Sequence, residues 1–356
     1  MSQASSTPQA LASERQAALA AWALASLQLA GIPDFQNYRL MVASDDASFR
    51  RYFRATSETH ATDTYIFVDA PPEKEDSRPF VQVQAMLAGA GLAVPRIYRA
   101  DLAQGFMMLA DFGNTLYLDM LADNQAFQIE TRYQAAFQGI RQMQQIRVLE
   151  QLPVYDDAKL RTEMALFTDW FLAQQLALVV EPREQALIQQ LFDALVTAAL
   201  SQPQVFVHRD YHCRNLMVIA GEQPGIIDFQ DAVRGPLTYD LVSLLKDCYH
   251  QFPRSQVVGW VNQAHRQWMQ SVPESPVEAA EFLRWFDLMG MQRHLKCAGI
   301  FSRLNLRDGK TRYLNDIPLV LAYIVEVCGL YPEFTEIGAW LSEQVLPRLD
   351  AIEGGK

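Results

Sequence analysis

Three short runs near the start of this chain, Tyr38–Ala43, Phe49–Ala55 and Thr64–Ala70, are rich in aromatic and β-branched residues, with SDDAS and SETHATD between them. That is the pattern of an antiparallel meander with turn chemistry between its strands. The stretch Phe80–Gly91 has helical spacing, and VPRIYRA and GFMMLADFG follow it as two further strands. From there on the pattern is helical, over 115–148, 156–178, 183–201, 237–251, 254–271, 276–305, 316–330 and 333–350. One β-rich island at 205–233 interrupts it. Strands gathered at one end and helices at the other give an α+β chain. It has a small lobe of five antiparallel strands with one crossing helix, and a large helical lobe.

The chain has 356 residues, half of them apolar, which is long enough for two lobes and apolar enough to order both. We place the first lobe at 1–113, with a hinge at about 107–113, and the helical lobe at 114–356. A net charge of −11 argues against wide contact with nucleic acid or anionic lipid. Cys213, Cys248, Cys297 and Cys328 form no CxxC pair, so a reduced, cytoplasmic protein is expected. Residues 17–30 are apolar but too short and too polar to span a bilayer. They read as the end of an amphipathic helix that buries Trp22, Leu24, Leu27 and Leu29 and stops at Gly31 and Pro33. No transmembrane helix is expected, and the chain is expected to act as a monomer on a small molecule.

The island carries the chemistry. It reads His208-Arg209-Asp210-Tyr211-His212-Cys213-Arg214-Asn215 and then Ile227-Asp228-Phe229. Phosphoryl transfer from ATP needs a carboxylate at the attacking hydroxyl and oxygen ligands that hold Mg²⁺ on the phosphates. Asp210, Asn215 and Asp228 match base, first metal ligand and second metal ligand in order and approximate spacing. HRD alone, or IDF alone, is ordinary core-edge sequence; the combination is not. A zinc site from His208, His212 and Cys213 would lack a fourth ligand.

HRDYHCRN…IIDFQDA followed by GPLTYDLVSLLKD resembles the aminoglycoside phosphotransferase group, related to choline and ethanolamine kinases, within the protein-kinase-like fold. The resemblance implies a bilobal architecture, with Asp240 anchoring the catalytic loop. VDAPP, GFMMLADFG and QRHLKCAGIFSRLNLRDGKTRYL resemble the bacterial anomeric sugar kinases more closely. That branch phosphorylates the C1 hydroxyl of N-acetylmuramate and N-acetylglucosamine in peptidoglycan recycling. The likeness implies substrate contacts from His212, Arg214, Glu163, Arg293, His294, Lys296 and Arg303. Arginine suits the lactyl carboxylate of N-acetylmuramate.

The chain also departs from the protein-kinase pattern. Ser44-Asp45-Asp46-Ala47-Ser48 stands where a Gly-rich loop is expected, so Ser44 and Ser48 are the candidate phosphate contacts there. Val68 or Asp69 stands in place of the strand-three lysine, leaving Arg50, Arg51 or Arg54 as candidate phosphate clamps. Met108, Leu109 and Asp111 are the candidate adenine-side residues. Gln230 follows Phe229 where Gly is expected. These gaps favour a small-molecule kinase over a protein kinase. An antibiotic phosphotransferase and a nucleotide-binding pseudokinase are the alternatives.

Overall fold

The structure is a computed structural model that describes residues 8–44, 49–57, 59, 63–122, 126–271, 276–353. The chain divides into two compact units. The smaller comprises Met1–Asn114 with Met217–Ile219 and Gly225–Asp231, and the larger comprises the remainder.

The smaller unit begins with helix α1 (Pro8–Leu29). Strands β1 (Arg39–Ser44), β2 (Arg51–Thr56) and β3 (Tyr65–Asp69) form the meander, followed by helix α2 (Arg78–Gly89) and strands β4 (Ile97–Asp101) and β5 (Phe106–Ala110). The sheet order is β1-β2-β3-β5-β4, antiparallel throughout. Its core joins Leu19, Trp22, Ala23 and Leu27 of α1 to Phe53, Phe67, Phe106 and Met108 of the strands. These helix positions recur every three or four residues, which is one face of an α-helix. Leu24 and Leu29, expected inside, are 38% and 74% exposed because they fall off that face.

The larger unit is helical. Its first half holds α3 (Tyr117–Ala122), α4 (Ala126–Gln144), α5 (Asp157–Leu166) and α6 (Pro182–Leu200). The island follows in the chain as strands β6 (Gln204–Val207), β7 (Leu216–Val218), β8 (Pro224–Ile226) and β9 (Val233–Pro236), of which most of β7 and β8 belongs to the smaller unit. β6 pairs with β9 and β7 with β8. Then come α7 (Tyr239–Leu245), α8 (Arg254–Ser271), α9 (Ala279–Asp308), α10 (Ile317–Leu330), α11 (Thr335–Trp340) and α12 (Leu346–Glu353). Helix α9 is the axis of this unit, and nearly every residue from Trp285 to Ser302 is buried.

Three expected helices differ in a physically informative way. Helix 156–178 continues α5 as a π-helical stretch over Phe167–Gln175. There α9 presses on it through Gly299, where a Cβ would lie 2.3 Å from the Leu166 carbonyl carbon. Helix 237–251 stops at Leu245 because side chains take over the backbone. His294 Nε2 lies 2.9 Å from the Lys246 carbonyl, and Asp247 accepts the N–H of Tyr249. Within the expected helix 115–148 the described residues form α3 and α4, and α4 ends at Gln144. Thr311–Leu330, which includes α10, is long and apolar enough to cross a membrane by composition, with mean hydropathy 1.4, and half of that window is buried.

Candidate active site

β6 delivers the chain into the loop 208–215, and two carboxylates on one segment fix that loop at both ends. Asp240, in the first turn of α7, accepts the backbone N–H groups of His208 at 2.8 Å and Arg209 at 3.0 Å. Asp247, just past α7, accepts the N–H of Cys213 at 2.9 Å. Arg209 is held at φ 78°, a left-handed conformation that non-glycine residues seldom adopt. Ser243 reinforces it by donating to the Arg209 carbonyl at 3.0 Å. The turn then closes on Asp210, whose carbonyl accepts the N–H of His212 and the amide N–H of Asn215, each at 3.0 Å. The loop is therefore rigid around Asp210, and its carboxylate keeps a solvent-facing side, 36% exposed.

Helix α9 supplies charge to this carboxylate. Arg293 Nη2 lies 4.0 Å from Asp210 Oδ1. Lys296, 6% exposed, donates to the Tyr239 hydroxyl at 3.2 Å and pairs with Glu163 at 3.7 Å. Crowding by protein would raise the Asp210 carboxyl. Lys296, with His212, Arg293 and Arg209, outweighs that and holds it well below the usual carboxylate range. Asp240 goes the other way: burial pushes it up to about 7, against its two N–H donors. Glu163 joins the set as a hub, taking Arg209 on one oxygen and the Tyr155 hydroxyl on the other. Gln292 of α9 donates to that hydroxyl at 3.1 Å.

His212 packs edge-on against Tyr249, and Arg214 lies over the same ring at 3.6 Å. Burial lowers the His212 pKa, against the pull of Asp247 and Asp210. Its Nδ1 is buried without a hydrogen-bond partner.

The sequence model of the phosphotransferase enzyme family matches residues 39–286. The chain belongs to that family. Among curated proteins it is similar to an N-acetylmuramate/N-acetylglucosamine kinase of Pseudomonas aeruginosa, 44% identical over 303 residues, covering 85% of this chain and 88% of that one. A protein of the same name from Neisseria meningitidis is 39% identical over 317 residues, covering 87% and 92%. Among solved structures, the ethanolamine kinase of Plasmodium vivax shares the fold with a TM-score of 0.60 at 11% identity, covering 85% of each chain. Family membership makes the chain a phosphotransferase and implies ATP as its donor and a small molecule as its acceptor.

Of the residues the sequence singled out, the structure brings Asp210, Asn215, His212, Arg214, Glu163, Arg293 and Lys296 together in the phosphotransferase's larger unit. It corrects two. His294 is a core histidine, stacked on Tyr323 at 4.8 Å, with its pKa forced well down by burial. Arg303 lies seven residues beyond Lys296, about 10 Å further along α9.

In the smaller unit each candidate arginine of β2 and its approach already has a carboxylate partner. Arg50 meets Glu75 at 3.2 Å, Arg51 pairs with Asp69, and Arg54 takes Asp111 at 2.5 Å. Asp69, at the position where a lysine was sought, is wholly buried between Arg51 and Arg15. Arg54 also reaches Asn114 and the Gly113 carbonyl, so Asp111 serves an ion pair. Met108 and Leu109 are interior strand residues with buried side chains, paired on both flanks by β3 and β4. Their backbone is engaged in the sheet, and unladdered backbone begins beyond Ala110. Ser44 ends β1, and Ser48 lies outside the described residues. Asp228 is in the left-handed region at φ 61° and accepts from Gln230 at 2.9 Å. Its neighbour Phe229 packs against Phe80 of α2 with the rings tilted, ring centres 4.8 Å apart.

Sequence reasoning missed Asp247, Tyr155, Gln292 and the Asp69 pair. Asp247 had a signal: an acidic residue, beside Lys246, just past the apolar run LVSLL. Tyr155 and Gln292 had none, since their roles depend on a contact across 137 residues.

Proposed function

We propose that the chain is an ATP-dependent sugar kinase that phosphorylates the anomeric hydroxyl of N-acetylmuramate and N-acetylglucosamine in peptidoglycan recycling in the cytoplasm. The curated relatives bear that name, and they cover most of their own length with this chain. The observation that carries the reading is the pair of α9 cations beside an ionised Asp210. Asp210 orients the acceptor hydroxyl and takes its proton; an anomeric hydroxyl is more acidic than an ordinary alcohol, so a weak base suffices. Lys296 and Arg293 stabilise the charge that develops and receive a substrate carboxylate. The unpartnered Nδ1 of His212 is assigned to a sugar hydroxyl.

Asn215 and Asp228 are assigned to Mg²⁺. Their donor set fits: an amide oxygen and a carboxylate are hard ligands, and Mg²⁺ takes one or two carboxylates plus phosphate oxygens. The Asn215 amide N–H is used by the Asp210 carbonyl, which sets the orientation of that side chain. Bound there, the ion would neutralise phosphate charge and orient the donor. We take 1–113 and 114–356 as the two lobes of this kinase, acting as a monomer. An aminoglycoside acceptor is disfavoured, because a polycation would meet two buried cations beside the base.

The test is ADP release with Mg·ATP against N-acetylmuramate, N-acetylglucosamine, glucose, choline and kanamycin. Turnover confined to the N-acetylated sugars is expected. Turnover on kanamycin or choline would overturn the substrate, and Mg·ATP binding without turnover on any of the five would favour a pseudokinase.

A further inference from the structure

The larger unit holds a cavity of about 520 Å³, away from the residues assigned above, lined by α4, α8 and the starts of β6 and α9. Phe137, Ile140 and Phe282 give it apolar walls, and Arg141, Arg147 and Trp268 give it a polar side. That volume is in the usual range for small-molecule sites. Two features set it apart from a packing defect. First, Arg141 Nε and Trp268 Nε1 are buried atoms without a hydrogen-bond partner. Two unpaired donors on one cavity are costly unless something accepts from them. Second, although the chain carries 41 acidic residues against 30 basic ones, no Asp or Glu is among the described residues that line the cavity, and two arginines are.

We propose that this cavity is a binding site for a small organic anion, a carboxylate or sulfonate on an aromatic or branched apolar body. The acid group accepts from Arg141 and Trp268 and is neutralised by Arg141 and Arg147, while the apolar body fills the space against Phe137, Ile140 and Phe282. A carboxylate or sulfonate has enough lone pairs to satisfy both orphan donors at once. Neutral apolar compounds would leave those donors unpaired, and cations would face the arginines.

The site also has a defined place in the fold. Val205 of β6 and Leu241 of α7 lie on its wall. β6 runs directly into His208, and Leu241 follows Asp240, which holds the catalytic loop.

The probe is 8-anilino-1-naphthalenesulfonate, titrated into the folded full-length protein with excess Mg·ADP present, and read by fluorescence. Saturable binding at one site per chain is expected. Arg141→Met keeps the apolar stem and removes the charge, and it should weaken binding roughly tenfold or more. Trp268→Phe removes the N–H and keeps a ring, and it should weaken binding several-fold. Both variants should retain wild-type circular dichroism and sugar-kinase turnover. Uncharged N-phenyl-1-naphthylamine should bind more weakly to wild type and should not distinguish the three proteins. Absence of saturable binding to wild type, or equal affinity across wild type and both variants, would overturn the proposal. If Arg141→Met fails to fold, the Trp268→Phe comparison alone decides.

Discussion

Arg293 lies with one terminal nitrogen 4.0 Å from the Asp210 carboxylate and the other 3.3 Å from the Cys248 sulfur. The guanidinium is 2% exposed, so its charge acts through little water and is strongly felt by the carboxylate. Removing Asp210 itself should abolish turnover: Asp210→Asn is expected to lose activity by at least about a thousandfold, with Mg·ATP binding retained. Isothermal titration with Mg·ATP separates that result from unfolding.

The cations around Asp210 set its proton affinity, and that has a readable consequence. With its pKa held below the usual carboxylate range, Asp210 stays ionised down to about pH 5, so kcat/KM should show no acid limb from it above that. Lys296→Met removes the largest stabilising charge while burial remains. The carboxyl then rises, so the acid limb of kcat/KM should lie at a higher pH than in wild type. A profile identical in shape to wild type would mean that Lys296 does not govern the base.

Asp240 carries the opposite sign. Burial pushes it up to about 7, so the folded protein binds a proton there that the unfolded chain, near 3.8, gives up. Its contribution to stability is present below about pH 4 and is lost as pH rises to about 7. Asp240→Asn should remove that slope from the urea midpoint. It should also lower kcat about a hundredfold, because His208 and Arg209, which lead into Asp210, lose the carboxylate that fixes their backbone. An unchanged slope would contradict the assignment.

Glu163 balances Arg209 and Lys296 while accepting from Tyr155. Glu163→Gln keeps the shape and removes the charge. The Lys296 pKa, which Glu163 helps to raise, should then fall, so activity should be lost at a lower alkaline pH than in wild type. Stability should fall by about 1–3 kcal/mol, as two cations lose their partner. A direct sugar contact by Glu163 would instead raise KM without moving the alkaline limb.

Much of this was readable from sequence, for identifiable reasons. The meander and the crossing helix follow from local texture, and Asp210, Asn215 and Asp228 stand out by their spacing within one short island. Arg293 and Lys296 were visible as a basic segment of a helix that is buried rather than solvated. What failed was long-range. Leu24 and Leu29 look apolar enough to bury, but the phase of α1 leaves them out. Met108 looks like a hinge residue, but strands on both sides enclose it. His294 sits between two site residues, yet it turns to the Lys246 carbonyl and Tyr323. The partners of Arg50, Arg51 and Arg54 come from Glu75, Asp69 and Asp111, which no local pattern pairs with them.

Gly299 tests the packing side of the account. A methyl there would lie 2.3–2.5 Å from Leu166 atoms, on the helix that carries Arg293 and Lys296. Gly299→Ala should cost about 1–3 kcal/mol by urea denaturation, since backbone atoms rather than a flexible side chain must move. A midpoint equal to wild type would show that α5 yields freely at this contact.

The most direct test of the central claim is phosphorus and carbon NMR of the product formed from N-acetylglucosamine and Mg·ATP, run beside Asp210→Asn. The account predicts phosphate on C1, seen as phosphorus coupling to the anomeric carbon, and no product from Asp210→Asn. Phosphate on any other hydroxyl, or near-normal turnover by Asp210→Asn, would contradict it.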